Sequence, residues 1–492
     1  MDRIVALHSN VMARLAEYCA PNPRRMTPRS FAFISVFVVI VIILLFPVFR
    51  VHEIYKPQTP RLASDIAPVV AAQDTLDYLI NFPLAPTEFG EMGQRVQLLY
   101  HRLAMVEQGQ ADLTPSQAAA LSDKLDKAVV ATFPFINGPS SSSTKAAFQA
   151  LRSSYIKGSR GIVISLGKKD FRYACHLIAN VRNVLRSGLP IQIAYAGDSD
   201  LPLAYREKLI SLGNNIETLD LLKLVDDATL DLAHGTFGTK PLAMLVSSFE
   251  EVILLDADAV FLQTPEVLFK SSGYKQTGTY FFHDRLLNKG IFKERHDWWE
   301  KEMRHNPPSA TLLKSLVYTE KYSAEQDSGV VVIDKSRTPV LLALLHICWQ
   351  NSAAGREYMQ GKVFGDKETY WFGFELSGVP YYFEKHYGNG LGPVSDSKMV
   401  CGNAIAHADE ADRLLWFNGG LLANKYQDKK KFGDFSHWML DGHWLPQTGG
   451  DGVSCEDQGN IMTVDERDRK VLSESIKEAK LTDEQFKDFI GS

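Results

Sequence analysis

The chain has 492 residues, 45% apolar, 23% charged and 11% aromatic, which at ~150 residues per domain allows about three units. With 34 Gly and 22 Pro it is neither collagen-like nor low in complexity. A formal charge of −5 lacks the basic footprint of a nucleic-acid-binding protein, and five cysteines are too few for a disulfide scaffold.

Phe31 to Phe49 is a 19-residue apolar run without a charge, close to the ~20 residues that span a bilayer as a helix. Arg24, Arg25 and Arg29 precede it, so residues 1–30 are expected in the cytosol and everything after residue 50 on the far side of the membrane. No small-x-small cleavage site follows, which favours an uncleaved anchor over a signal peptide. In that orientation Cys175, Cys348, Cys401 and Cys455 face an oxidising lumen with three pairings open to them. Cys175 and Cys348 sit in apolar helical stretches and read equally well as buried thiols.

Residues 50–156 read as a helical stem. Prolines break its start, helical patterns follow at 94–107 and 116–132, and the stretch Gly138 to Thr144 has linker composition. From Gly161 strands alternate with helices. Strands are expected at 161–166, 191–195, 216–219 and 252–255, with helices at 170–186, 202–212 and 242–249 between them. Further strands are expected at 280–282, 329–333 and 381–383. This alternation predicts an α/β domain over 157–450 with a mainly parallel sheet, whose ligands sit beyond the carboxyl ends of its strands. Residues 451–492 read as a charged, solvated appendage with an amphipathic helix at 466–480.

The chemistry centres on Asp256-Ala257-Asp258, directly after the apolar run 252–255. Carboxylates at i and i+2 on extended backbone leave the same face. Paired hard oxygens suit Mg²⁺ or Mn²⁺, which in turn binds a diphosphate. The pattern also occurs in phosphatases whose first Asp is a nucleophile. There the strand opens the domain, whereas here three strand–helix units precede it. The segment Gly365-Asp366-Lys367-Glu368-Thr369 is a second candidate centre. A carboxylate there is placed to stabilise positive charge developing in a transition state, with Asp366 ahead of Glu368. Lys240 stands before the acidic pair where a cation meets a diphosphate, and the small polar residues around Gln326 and Asp327 enter an apolar strand where a substrate can approach closely. His283 and Asp284 follow the strand at 280–282 at the edge of the site, Trp298 and Trp299 are expected as buried aromatics with stacking on a substrate ring as the lesser alternative, and Trp416 and Asn418 are placed as pocket walls.

The stretches GIVISLGKKD (161–170), KPLAMLVSSFEEVILLDADAVFL (240–262), FFHDR (281–285), QDSGVVVIDKSR (326–337), GDKETYWFGFEL (365–376) and HADEADRLLWFNGG (407–420) together resemble the fungal Golgi α-1,3-mannosyltransferase family. The resemblance implies a GT-A-like fold, GDP-mannose as donor, manganese or another divalent cation, and transfer with retention to a mannose-terminated glycan. It also implies a single-pass Golgi membrane protein with its catalytic domain in the lumen. The α-1,3 linkage comes from the resemblance alone, with an α-1,2 enzyme of the same superfamily as the alternative and a non-catalytic sugar-binding subunit as a more distant one. By the same resemblance Asp256, Asp258 and His407 are metal ligands, and Gly167 and Lys168, with Lys169 beside them, lie against the donor.

Overall fold

The computed structural model describes residues 75–107, 114–138, 146–233, 236–425, 427–445 and 453–490. The expected cytosolic tail, the expected membrane anchor at 31–49, the first part of the expected stem and residues 139–145 of the Ser-rich stretch lie outside them. Among the described residues no helix is long and apolar enough to cross a membrane.

The central sheet is built from β1 (Ile156–Ser165), β2 (Ile191–Tyr195), β3 (Ile216–Asp220), β4 (Phe249–Leu255), β6 (Thr279–His283) and β7 (Gln326–Asp334), in the order β3-β2-β1-β4-β7-β6. The first four are parallel neighbours. β7 runs antiparallel to both β4 and β6. The sheet is therefore mixed but mainly parallel, as expected. Its inner strands are buried on both faces: Ile162, Val163 and Ile164 of β1 lie beside Ile253, Leu254 and Leu255 of β4. Such unbroken β-branched and leucine runs suit a sheet with helices on both sides. The chain runs from β1 outward to β2 and β3, then returns to place β4 on the other flank of β1. That reversal opens a crevice beyond the ends of β1 and β4.

Several boundaries differ from the sequence expectation. β1 begins at Ile156, because its outer half is tied to β4 by the Arg160–Glu251 pair at 2.8 Å rather than by apolar burial. The helix expected at 170–186 stops at Ala179 and continues as a π-turn, Asn180–Val184. There the Asn180 side chain exchanges hydrogen bonds with the backbone of Phe261. The helix before β4 is Thr239–Val246, so Phe249 belongs to the strand. Residues 381–383 form no strand, although they lie along β6 through the Phe281–Phe383 bridge and a hydrogen bond from the Phe281 N–H to the Tyr382 carbonyl at 2.9 Å.

A second sheet follows. Its strands are β5 (Val260–Phe261), β8 (Asn389–Gly392), β10 (Ala404–Ala408), β11 (Leu414–Asn418), β14 (His437–Leu440) and β17 (Asn460–Thr463), with β9 (Val400–Gly402), β15 (His443–Trp444) and β16 (Ser454–Asp457) in a small sheet beside it and β12 (Leu422–Asn424) paired with β13 (Asp428–Phe432). Short β5 pairs with β11. The four residues 256–259 are thus the passage from one sheet to the other.

Two domain assignments need correction. The stem from residue 75 onward is no spacer. Phe89 is fully buried among Trp298, Trp349 and Tyr358. Gly93 sits so close to the backbone of Leu376 that a Cβ would lie 2.4 Å from its carbonyl oxygen. The helical pattern was legible, but its partner, far along the chain, was not. Nor is the C-terminal stretch a solvated appendage. The helix Glu466–Gln485 buries Leu472, Ser475, Ala479 and Thr482, and its Asp483 accepts from Arg172 at 2.6 Å and meets His176 at 2.8 Å. A Cys401–Cys455 disulfide joins β9 to β16, while Cys175 and Cys348 are buried free thiols.

Phe89→Ala is expected to cost about 3–5 kcal/mol of stability, the usual penalty for emptying an aromatic core position. Denaturant unfolding reads it, and a change below about 1 kcal/mol would return the helix to the role of a spacer. A second expectation concerns Glu456 of β16, which is 1% exposed and accepts from the N–H groups of Gly390 and Gly442. Burial pushes its carboxyl up to about 8 despite those bonds. The folded state holds this proton more tightly than the unfolded chain, so the contribution is complete below about pH 4 and disappears as pH rises through 8. Thermal midpoints should fall between pH 5 and 8, and Glu456→Gln should flatten part of that slope.

Candidate active site

β4 delivers the acidic pair to the crevice. The Asp256 N–H donates to the Gly329 carbonyl at 2.9 Å, and the Ala259 N–H to the Asp256 carbonyl at 3.1 Å. This tight turn ends the strand and redirects the chain into β5. Both carboxylates face a cleft of about 720 Å³ that also takes in Gly167, Asp170, Asp200, Lys240, Asn418 and Lys425.

Each acid is matched by a lysine from a different element. Lys240, in the first turn of the helix Thr239–Val246, lies 2.5 Å from Asp256 and 3.4 Å from Asp366. Lys425, after the second sheet's β11, pairs with Asp258. Burial works against the charge on Lys240, but Asp256 and Asp366 outweigh it and raise its pKa. Asp256 is pushed up to about 7, first by burial and then, against the pull of Lys240, by Asp258 and Asp366. Three carboxylates thus converge where the described groups supply two close ammonium partners, a surplus of negative charge at the cleft floor.

Of the residues expected here, Asp256, Asp258, Lys240 and Gly167 do line the cleft. Gly167 is needed because a Cβ would come 2.4 Å from Asp200 Oδ1. Asp366 is only 2% exposed but reaches the cluster through Lys240.

Others must be reassigned. Lys168 lies over the Tyr205 ring, 5.3 Å from its centroid, and Lys169 takes its place in the cleft. Glu368 is 1% exposed and bonds the Glu325 N–H at 3.1 Å and Trp371 Nε1 at 2.7 Å. Burial, against Lys367 and Trp371, lifts its carboxyl to about 7. It is a packing acid, not a group at the cleft. Gln326 is fully buried and accepts from the Trp371 N–H. Asp327, also buried, takes His407 Nε2 at 3.0 Å, the Gly329 N–H at 2.8 Å and Asn418 Nδ2 at 2.9 Å. Burial disfavours its charge, but the His407 bond outweighs that and lowers its pKa. Neither Gln326 nor Asp327 lines the cleft, so neither touches a donor directly.

His407 does not join the acidic pair either. It is 1% exposed, stacked on Trp416 at 4.3 Å and committed to Asp327. Among the described residues no three His, Cys, Asp or Glu side chains gather as a metal site. Trp298 and Trp299 are buried against Phe89 and Trp371 and offer no face to a sugar. His283 is stacked between Phe383 and Tyr387 and lies 2.8 Å from Glu325, and Asp284 pairs with Lys367.

Lys425, Asp170 and Asp200 escaped the sequence reading. Lys425 lies in the turn after the short strand Leu422–Asn424, and the pairing of β5 with β11 brings the chain around Gly420 beside Asp258. Asp170 and Asp200 follow β1 and β2, and their position beyond strand ends was the one available signal.

The mannosyltransferase family model matches residues 159–409, from β1 through β10 with the acidic pair inside. The chain belongs to this family of mannosyltransferases. The α-1,3-mannosyltransferase MNN1 of Saccharomyces cerevisiae is 27% identical over 338 residues, covering 56% of this chain and 43% of that protein. The α-1,3-mannosyltransferase MNT3 of the same yeast is 27% identical over 332 residues, covering 56% and 51%. The match thus spans about half or less of the length of these relatives. Among solved structures, the mannosyltransferase Ktr4p from S. cerevisiae is similar at 12% identity and a TM-score of 0.32, over 60% of this chain and 84% of that one.

Lys240→Met would leave Asp256 and Asp366 without their shared cation. Because Asp256 is about one-fifth exposed, the expected loss is about 2–3 kcal/mol, below that of a fully buried pair. The loss should be larger at pH 8 than at pH 5, where Asp256 takes up a proton. Thermal melts at the two pH values check this, and equal losses would contradict the charge balance described here.

Proposed function

We propose that the protein is a retaining, metal-dependent mannosyltransferase that moves mannose from GDP-mannose to a mannose-terminated glycan, forming an α-1,3 bond. The catalytic unit is GT-A-like. A membrane anchor at residues 31–49 holds it on the lumenal side of the Golgi membrane, in the type II orientation. Family membership and the yeast relatives named above support the chemistry and linkage. The single observation that carries the proposal is the pair Asp256 and Asp258, presented together at the crevice beyond β1 and β4.

The two carboxylates fit a divalent cation. They are hard oxygen donors about one-fifth and one-seventh exposed, they open onto the cleft, and each is neutralised by a lysine holding positive charge where a cation would supply it. Mn²⁺ at this pair would draw charge from the departing diphosphate. His407 holds Asp327 with its Nε2 and stands behind the cleft, not in its wall.

The chain's own groups do the rest. Lys425 and Lys169 place positive charge on the cleft wall against a diphosphate. Lys240 holds Asp256 and Asp366 in register. Asp366, beside Lys240, offers a carboxylate to an anomeric carbon becoming oxocarbenium-like. The cleft beside Gly167 and Asp200, at the ends of β1 and β2, suits the nucleoside.

The test is a donor screen with the purified full-length chain, a mannobiose acceptor and NMR of the product. We expect turnover of GDP-mannose and not of UDP-sugars, abolished by chelation and lowered at least about 100-fold by Asp258→Asn, the scale of losing one key electrostatic group. Turnover that survives chelation would refute the metal, and use of UDP-sugars alone would refute the donor.

A further inference from the structure

We infer that the amide oxygen of Asn418, and not the imidazole of His407, completes the oxygen ligand set around a divalent cation at Asp256 and Asp258, with Asp327 and His407 holding that amide in place. This rests on the proposal above that the acidic pair holds a metal.

Position comes from sheet register. In the β5–β11 pair, Phe417 lies opposite Val260 and Trp416 opposite Phe261. Continuing that antiparallel register by one residue sets Asn418 beside Ala259, next to the acidic turn. Gly420 follows, and a Cβ there would lie 3.6 Å from the Asp258 Cβ. Asn418 itself lines the cleft with Asp256 and Asp258.

Orientation comes from hydrogen bonding. A carboxylate accepts only. Asp327 Oδ1 already takes the Gly329 N–H at 2.8 Å, and Asn418 can approach it at 2.9 Å only with its Nδ2. This choice of amide rotamer is fixed by the network and not by the density of nearby atoms. The Oδ1 of Asn418 is therefore the end turned away from Asp327, and no hydrogen bond to it is found among the described residues. Gly329 makes room for the arrangement, since a Cβ there would lie 2.8 Å from Asn418 Nδ2.

His407 supplies the anchor. Its Nε2 binds Asp327 Oδ2 at 3.0 Å, and its ring is fixed between Trp416 at 4.3 Å and Phe282 at 5.2 Å. At 1% exposure it is a positioning residue two steps behind the cleft. A neutral carbonyl oxygen joining two carboxylates is a donor set for a hard cation such as Mn²⁺ or Mg²⁺, and the chain Asn418–Asp327–His407 is the outer support that such ligands require.

Mn²⁺ binding to the full-length protein, followed by electron paramagnetic resonance in the presence of GDP, tests this without any turnover. Asn418→Ala should weaken Mn²⁺ by about 10–100-fold. His407→Phe keeps the ring stack but cannot donate to Asp327, so it should weaken Mn²⁺ less and add nothing in the double variant with Asn418→Ala. The bound manganese of the unmodified protein should show no directly coordinated protein nitrogen, a readout that needs no variant to fold. A nitrogen coupling abolished by His407→Phe, or an unchanged affinity in Asn418→Ala, overturns the inference while leaving the acidic pair as a metal site. Failure of the unmodified protein to bind Mn²⁺ overturns both.

Discussion

The structure turns on one passage of four residues. β4 belongs to the central sheet and β5 to the second, and Asp256-Ala257-Asp258-Ala259 is the link between them. Because β4 is fixed in register with β1 and β7 and β5 with β11, the link has little freedom. The two carboxylates are displayed at the sheet rim whatever their mutual repulsion. Other parts of the fold answer that repulsion: Lys240 comes from a helix on one side of the crevice, and Lys425 from the chain beyond the second sheet on the other. An arriving cation therefore meets carboxylates already held in place, and replaces ammonium groups on them.

The second sheet has a further consequence. It carries Trp416, His407 and Asn418 to the side of the crevice opposite Lys240, and through Asp327 it is tied back to β7. The C-terminal helix and the Cys401–Cys455 disulfide support this sheet from behind. The helices before β1 support the opposite face, where Phe89 and Gly93 meet the segments around Trp298 and Leu376. Regions that look peripheral along the chain therefore hold the two walls of the cleft at their spacing.

Much of this was legible in the sequence. Unbroken apolar runs such as 252–255 announced buried parallel strands, and an acidic pair at the end of one announced the site. The motifs named the family before any geometry was available. What stayed hidden depended on partners distant in sequence. His407 has the right chemistry for a metal ligand, but β10 and β11 bury it against Trp416. Glu368 lies two residues from Asp366, yet that step turns the chain about 200° around the helix axis, from a group facing Lys240 to one facing Trp371 and Glu325. The burial of Phe89 likewise depends on residues more than 200 positions away. Local pattern fixes which residues are chemically able to act, and only tertiary packing selects among them.

The central claim is that Asp256 and Asp258 together hold a cation that in turn holds a diphosphate, so the affinities for metal and nucleotide must be coupled, each strengthening the other by one common factor. Calorimetric titration of GDP into the purified chain, with and without Mn²⁺, measures that factor directly. The account predicts GDP binding at least about tenfold tighter with Mn²⁺, and loss of that difference in Asp256→Asn and Asp258→Asn. GDP binding indifferent to Mn²⁺, or a coupling that persists when both acids are replaced, would contradict it.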